Sequence, residues 1–589
     1  MKKLRIILLL IAVNFCSSLG VYAQVKVRVM SYNLAASISE LSADKVSEVS
    51  ESILSIASDV VALQQIPDSS GSSESVIKRV ANGSLMHWYE SAHAGLGVLS
   101  KSKPLAVRDL DAYAQVVEFK DFILYNVDFE NGVSIYDIKA DMSKSTKPII
   151  MAATEVGPEL FEALGDGFET LNNAKSLTYP AAAPERCDDY LLGYTANNQS
   201  YAVPNTKVVA AVEGLMHKSV YADVRLKFPK ERIFRTKPYL QNPVGDGMTI
   251  MWLTNTPTYS YVEYGVDTTN LTRVRALVDG QVICDNFIHK IRLENLKAGE
   301  KYYYRVCSRD MMLYRGYLKL WGDTAESPFY SFTMQDESQS DFTALIFNDI
   351  HQHTDTAKAL FESVKDLDYD FVVFNGDCID DPLNEAQAVR SISELNNIVN
   401  ASQVPVFYLR GNHEIRNAYS IGLRGLFDYV DDKTYSAFNW GDTRMVLLDA
   451  GEDKPDDFWV YYDLNDFEQF RIDQVEFMER EFKSKEFKKA KNRVLIHHIP
   501  MHGNTVNKYQ PCLPLWLPVL DGVDFDFSIN AHTHKFNYLP AGSPAGNTYP
   551  VVIGGGYKKD DATVMILLKS GGVLSLKVLD YDGNTILEL

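Results

Sequence analysis

Five times between residues 341 and 535 an apolar run ends and an acid, an amide or an imidazole follows it. FTALIFND delivers Asp349 and, two residues on, His351; DFVVFNGD delivers Asp377; VPVFYLRGNHE delivers Asn412 and His413; RVLIHHIP delivers His497 and His498; FDFSINAHTH delivers His532 and His534. Short bounded runs rich in Val, Ile, Leu and Phe read as buried strands. Helix-like stretches such as TAKALFESVKDL and FRIDQVEFMEREFKSKEF lie between them, and in an α/β sheet side chains at the carboxyl ends of strands converge on one crevice. Taken singly, an Asp after a strand is a turn residue or helix cap and a lone His a packed or surface side chain. Of the 12 histidines, however, His351, His353, His413, His497, His498, His532 and His534 lie in or beside these strand ends. Oxygen and imidazole donors arriving repeatedly at one rim predict a metal site.

The rest of the chain divides by pattern. At 589 residues it is too long for one core, and 46% hydrophobic with 23% charged residues is ordinary globular composition. Residues 24–228 mix strands (VKVRVMSYNL, DVVALQQI, DFILYNV, KPIIMAATE) with helical stretches near 43–56 and 158–165, an α/β pattern. Residues 232–336 change to short alternating strands (MTIMWLTN, YSYVEYG, NFIHKIRLENL, KYYYRV) separated by turn residues, which predicts a β-sandwich. Residues 341–589 return to α/β and close on the strand-rich YPVVIGGG and ATVMILLKSGGVLSLKVLD. Residues 1–23 read as a secretory signal peptide: a basic start, an apolar run from Ile6 to Phe15, and small residues up to a cut after Ala23. Phe15 precedes Cys16 where a lipid-modified cysteine wants a small residue, which favours simple cleavage. No segment offers the roughly 20 apolar residues of a membrane span, so the expectation is a soluble chain exported to the periplasm, cell surface or medium.

Charge narrows the partners. Removal of Lys2, Lys3 and Arg5 with the leader takes the formal charge from −19 to −22, and an acidic surface disfavours non-specific nucleic-acid binding. Oligomeric state is not legible. Five cysteines remain (Cys187, Cys284, Cys307, Cys378, Cys512), odd in number and widely spaced, which is no disulfide framework. Cys284 and Cys307 could pair or stay free.

The five strand-end blocks, in order, resemble the calcineurin-like metallophosphoesterase superfamily, whose blocks run D-x-H, G-D, G-N-H-[DE], a histidine before proline, and G-H-x-H. The resemblance implies a four-layer α/β/β/α domain over residues 341–589 and two divalent transition metals (Fe, Mn or Zn). Asp349, His351 and His534 would hold one, Asn412, His498 and His532 the second, and Asp377 would bridge them. Paired cations clamp a phosphoryl group and acidify a bridging water, whose hydroxide would attack phosphorus; His413 would then protonate the leaving alkoxide. Asp349, Asp377 and His413 are thus the catalytic candidates. In the family the ligand stands two residues before proline, which selects His498 and leaves His497 to strand packing. Ala531 replaces the usual glycine, and His353 reads as a surface residue.

The sandwich segment (KPYLQNPVGDGMTIMWLTN…YVEYG…HKIRLENLKAGEKYYYRV) is similar to the fibronectin-III-like domain preceding the catalytic domain of purple acid phosphatases. Those enzymes use D-x-G and a tyrosinate ligand. Here His351 and Asp380 stand at those positions, so phenolate charge transfer should be absent and the site colourless. Residues 24–228 resemble the endonuclease/exonuclease/phosphatase superfamily through VMSYNL, DVVALQQ, GLGVLSKSKP and HKSVYADV. Its Mg²⁺ glutamate is Gln65 here, its strand histidine is Asp128, its GDFN is Ala153, Thr154, Glu155 and Val156, and its SDH is Leu215, Met216 and His217. Asn33, Asp189 and His217 remain, too few for the usual mechanism, so this domain is expected to be an inactive α/β sandwich.

Together these features predict an exported phosphoric ester hydrolase acting on a small phosphorylated substrate, monoesters favoured. A phosphodiesterase or nucleotide hydrolase using the same site, or a binding or scaffold protein using the first domain, are the alternatives. The stretches DDPLNEAQAV, GEDKPDDFWVYYDLNDFEQFR and MHGNTVNKYQPCLPLW are read as pocket loops and carry no substrate motif.

Overall fold

The computed structural model describes residues 26–35, 42–66, 73–84, 86–172, 176–209, 212–336, 338–506 and 508–589, so the leader lies outside the described residues. The first region is two six-stranded sheets face to face. Alternation along each strand sends alternate residues to opposite sides: Val27 and Val29 of Lys26–Asn33 meet Leu124 and Ile150 between the sheets, while Met30 and Tyr32 pack outward. The outer faces are covered by helices Ala43–Ile56 and Ser73–Gly83 on one side and Ile135–Met142 and Pro158–Leu164 on the other. Ser42 starts the helix at Ala43 by accepting a hydrogen bond from Lys45 N.

The central region is a seven-stranded, wholly antiparallel system organised by one 18-residue strand, Met248–Gly265. Its first half pairs with Cys284–Leu293 and its second with Lys301–Tyr314, with register breaks between Leu253 and Tyr259 that let one strand serve both partners. Cys284 and Cys307 lie on these flanking strands and both are free thiols.

The C-terminal region again stacks two six-stranded sheets. In the first, Phe342–Phe347, Phe371–Asn375 and Val406–Leu409 run parallel; in the second, Thr443–Leu448, Asn492–His497 and Phe527–Asn530 do. Ala344 and Ile346 face Val494 and Ile496 between the sheets, whereas Leu345 and Phe347 pack under the outer helices Thr354–Glu362 and Glu385–Ile398. Helices Phe467–Glu481, Lys485–Lys489 and Leu513–Leu520 cover the other face, giving four layers. Ser484 divides the first two by capping Phe487 N. Two stretches expected as pocket loops are partly helical: Asn384 caps Gln387 N and starts a helix inside DDPLNEAQAV, and Leu513–Leu520 occupies most of the apolar end of the third stretch.

The sandwich is docked on this region. Tyr239, Met251 and Leu253 share one buried cluster with Leu345, Phe374 and Val406. Tyr239 Oη donates to Leu426 O at 2.8 Å, Tyr304 Oη donates to Ser402 O at 2.7 Å, and Arg235 pairs with Glu385.

Candidate metal centre

The strand ends of both C-terminal sheets open on the same crevice. Asp349, His351, Asp377 and Asn412 arrive from the first sheet, and His498, His532 and His534 from the second. Donor atoms of Asp349, His351, Asp377 and His534 all lie within 4.8 Å of one another, as do those of Asp377, His498 and His532. Asp377 belongs to both groups: its Oδ2 is 3.6 Å from His351 Nε2 and 3.2 Å from His498 Nε2. His534 Nε2 stands 3.0 Å from His351 Nε2 and 3.5 Å from Asp349 Oδ1. Asn412 Oδ1 lies 2.8 Å from His532 Nδ1.

The backbone is bent to make this possible. Asp349, His351, Asp377, His532 and His534 all have φ between 46° and 73°, a left-handed region that non-glycine residues rarely occupy and that clusters at functional sites. Close approach demands glycine at two neighbours: a Cβ on Gly376 would strike the His498 ring, and one on Gly411 would strike the Asp377 carboxylate. Glu414 supports the turn from below. Its buried carboxylate accepts from the backbone N–H of Asp377, Cys378, Ile379 and Gly411 at 2.7–2.8 Å.

The donor chemistry suits a cation. Burial drives His532 down to about 3 and His534 to about 4, which leaves both imidazoles neutral near pH 7 with lone pairs free. His498 Nδ1 donates to Asn375 O at 2.8 Å, aiming the other nitrogen inward, and Nε2 of His498 and of His532 are buried without hydrogen-bond partners. Two imidazole Nε2 atoms 3.0 Å apart, two buried carboxylates and two orphaned ring nitrogens are a donor set that a divalent ion satisfies and that is costly without one. Burial pushes Asp349 up to about 7, the Asp377 charge adding to it. Burial works the same way on Asp377, but the adjacent His498, His413 and His351 imidazoles hold its carboxyl well below the usual range.

His413 sits at the edge of the crevice, half-exposed. Its backbone N–H donates to Asp377 Oδ1 at 2.8 Å, its Nε2 accepts from Arg416 Nη1 at 3.0 Å, and its Nδ1 faces Asp380 Oδ1 at 2.7 Å. Asp380 also reaches His351 Nδ1 at 3.2 Å. Arg416 is itself held by both oxygens of Glu452 at 2.8 and 3.0 Å. His497 is turned away, donating from Nδ1 to Ile499 O at 2.8 Å beside Trp516. His353 precedes helix Thr354–Glu362 and stacks on Tyr557 at 4.2 Å, and that tyrosine also edges His351 and His534. Sequence reasoning assigned no role to Glu414, Asp380, Arg416 or Tyr557. Glu414 closes the GNHE block, so its place beside the ligand turn was readable; Arg416 and Tyr557 carry no such signal.

In the first region Asn33, Asp189 and His217 also come together. Asn33 Nδ2 donates to Thr154 Oγ1 at 2.7 Å, Thr154 Oγ1 to Asp189 Oδ1 at 2.7 Å, and Asp189 Oδ2 lies 2.9 Å from His217 Nδ1. Glu155 turns toward them, 3.1 Å from His217 Nε2. Burial opposes a charge on His217, but the two carboxylates outweigh it and raise it to about 9. Gln65 donates to Asp128 at 3.3 Å and Glu130 at 2.7 Å. A single uncharged amide thus donates to both acids.

Residues 342–536 match the calcineurin-like phosphoesterase family and residues 236–334 the purple acid phosphatase N-terminal domain. The chain is thus a multidomain protein with a calcineurin-like phosphoesterase domain in its C-terminal region, which makes it a metal-dependent phosphatase, and its Asp and His cluster is suited to a divalent metal. Among solved structures it is similar to a purple acid phosphatase from yellow lupin (Lupinus luteus) seeds, 16% identical with TM-score 0.46, covering 60% of this chain and 74% of that one. It is also similar to PhoD, 10% identical with TM-score 0.39, covering 60% of this chain and 91% of the other. An endonuclease/exonuclease/phosphatase family protein from Leptotrichia buccalis is 12% identical with TM-score 0.28, covering 34% of this chain and 99% of its own. No curated protein matches the chain.

Proposed function

We propose that the chain is an exported phosphomonoesterase with a dinuclear metal centre. Asp349, His351 and His534 would hold one divalent transition metal, Asn412, His498 and His532 would hold the second, and Asp377 would be shared between them. The observation that carries this reading is the shared position of Asp377, within 3.6 Å of a histidine from each group. When bound, the cations neutralise phosphoryl charge and acidify a water molecule. The residues do the rest. Arg416 donates to His413 Nε2, which leaves Nδ1 as the nitrogen that carries the proton. In the resting site Nδ1 faces Asp380 Oδ1 at 2.7 Å; with substrate present the leaving oxygen takes that place. Asp380 stands where purple enzymes have a tyrosinate, which supports a colourless centre. Export rests on residues 1–23; among the described residues no helix is long and apolar enough to cross a membrane. The preference for monoesters over diesters follows the resemblance to acid phosphatases.

The test is metal analysis of wild type, Asp377→Asn and His498→Ala, with hydrolysis of para-nitrophenyl phosphate and its bis ester. Two metals per wild-type chain, fewer in both variants and faster monoester turnover are expected. Less than one metal per wild-type chain, or variants as active as wild type, would sink the assignment.

A further inference from the structure

A cleft of about 920 Å³ is linked to the metal centre through Arg416, and its size is within the range of small-molecule sites. Arg416, one of its lining residues, donates to His413 Nε2 at 3.0 Å. Its walls come from the segments after Asn412 and after Glu452: Ile421, Phe458, Val460, Tyr461, Leu464 and Phe467. Ile421 and Leu464 are 89% and 84% exposed, and Phe458 is buttressed edge-on by Tyr509 at 5.4 Å. Exposed aliphatic side chains concentrated in one concave site mark a place that something apolar covers.

The cations of the cleft point to the same conclusion. Arg410 pairs with Asp449 at 2.7 Å, Arg416 with Glu452, and Lys454 with Asp453 at 2.6 Å. Each positive charge is matched by a carboxylate of the cleft's own frame, so nothing there rewards a second phosphate or a carboxylate. A charged polyphosphate tail gains no partner, whereas an uncharged ring or branched chain removes Ile421, Leu464 and Val460 from water at about 25 cal/mol per Å².

We propose that this cleft is the leaving-group subsite, and that the substrate is a phosphoric ester of an uncharged apolar alcohol or phenol. The proposal rests on the phosphoesterase reading above and assigns its specificity to Ile421 and Leu464. Because both side chains are exposed, their replacement tests binding without disturbing the core.

The experiment compares 1-naphthyl phosphate with glycerol 1-phosphate in wild type, Ile421→Ser/Leu464→Ser, and Tyr317→Ser, a control at a fully exposed site on the central sandwich. Calorimetric titration with 1-naphthylmethylphosphonate and with methylphosphonate reads binding independently of turnover. Wild type should favour the naphthyl ester in kcat/KM by at least ten-fold. The double variant should lower that ratio about ten-fold through KM, with a matching loss of naphthyl phosphonate affinity, while Tyr317→Ser leaves both unchanged. A ratio within two-fold of wild type in the double variant, or parallel loss on both esters, overturns the proposal. If wild type hydrolyses neither ester, the phosphoesterase reading fails separately. The titrations then decide the cleft alone: equal affinity for the two phosphonates overturns it.

Discussion

Oδ1 of Asp380 lies 2.7 Å from Nδ1 of His413 and 3.2 Å from Nδ1 of His351, so a single carboxylate oxygen ties a ligand candidate to the proposed leaving-group acid. A carboxylate that orients a ligating imidazole is worth about 10–100-fold in activity or metal affinity. Asp380→Asn should therefore lower kcat about ten-fold or more on para-nitrophenyl phosphate, with Asp380→Glu recovering part of it. An unchanged kcat would show that neither imidazole depends on this contact.

Removal of Glu414 should be felt in folding as well as in metal content. Glu414→Ala leaves the buried N–H groups of Asp377, Cys378, Ile379 and Gly411 without their acceptor, and each unsatisfied group costs about 1–3 kcal/mol. We expect a loss of at least 3 kcal/mol in urea unfolding of the metal-loaded protein, with bound metal reduced in parallel, read by a denaturation curve and elemental analysis.

Metal affinity should rise with pH. Burial opposes a proton on His498, but the Asp377 and Asp349 carboxylates outweigh it and raise it to about 10, so near pH 7 a cation must displace that proton. Log K for zinc should climb from pH 6 toward 10, by up to about one unit per pH unit for each proton released. In the metal-free protein the sign reverses. A raised histidine stabilises the fold fully below its ordinary value of 6.5, and that contribution is lost as pH rises through about 10. Competition titrations at pH 6, 7 and 8 check the first statement; a pH-independent affinity contradicts it.

The central sandwich should brace the catalytic region. Tyr239 is buried in the shared cluster and hydrogen-bonded to Leu426 O. Tyr239→Phe should cost about 1 kcal/mol and Tyr239→Ala about 3–5 kcal/mol, measured as the unfolding midpoint of the metallophosphoesterase region followed through loss of phosphatase activity.

Gln65 should be replaceable by glutamate only in the presence of a cation. Gln65→Glu removes the donor that satisfies Asp128 and Glu130 and adds a third negative charge. The variant should melt below wild type in chelator, and millimolar Mg²⁺ should raise its Tm while leaving that of wild type unmoved. Equal Mg²⁺ responses would contradict the prediction that a third carboxylate there creates a cation site.

The strand ends were legible because burial on both faces forces continuous apolar runs, and a polar residue at their end is conspicuous against them. Helix Glu385–Ile398 was harder to read. Its apolar positions are diluted by Ser, Asn and Gln, and the start is marked chiefly by the Asn384 cap. Arg416 and Tyr557 were invisible for another reason: a side chain that lines a site from a loop leaves no periodicity, and its role exists only relative to the residues it touches.

By itself the sequence determined which residue types arrive at strand ends and in what order, because hydrophobic patterning and turn chemistry are local. It also placed the uncharged amide Gln65 after the run DVVALQ, and an amide carries no formal negative charge in any fold. Only the tertiary structure decided that Asp377 lies between the two groups of histidines, that Asp380 joins His351 to His413, and that an apolar cleft opens beside Arg416. His351 and His534 are 183 positions apart in the chain yet 3.0 Å apart in space. Such distances are set by packing two sheets face to face, a long-range property that no local pattern encodes.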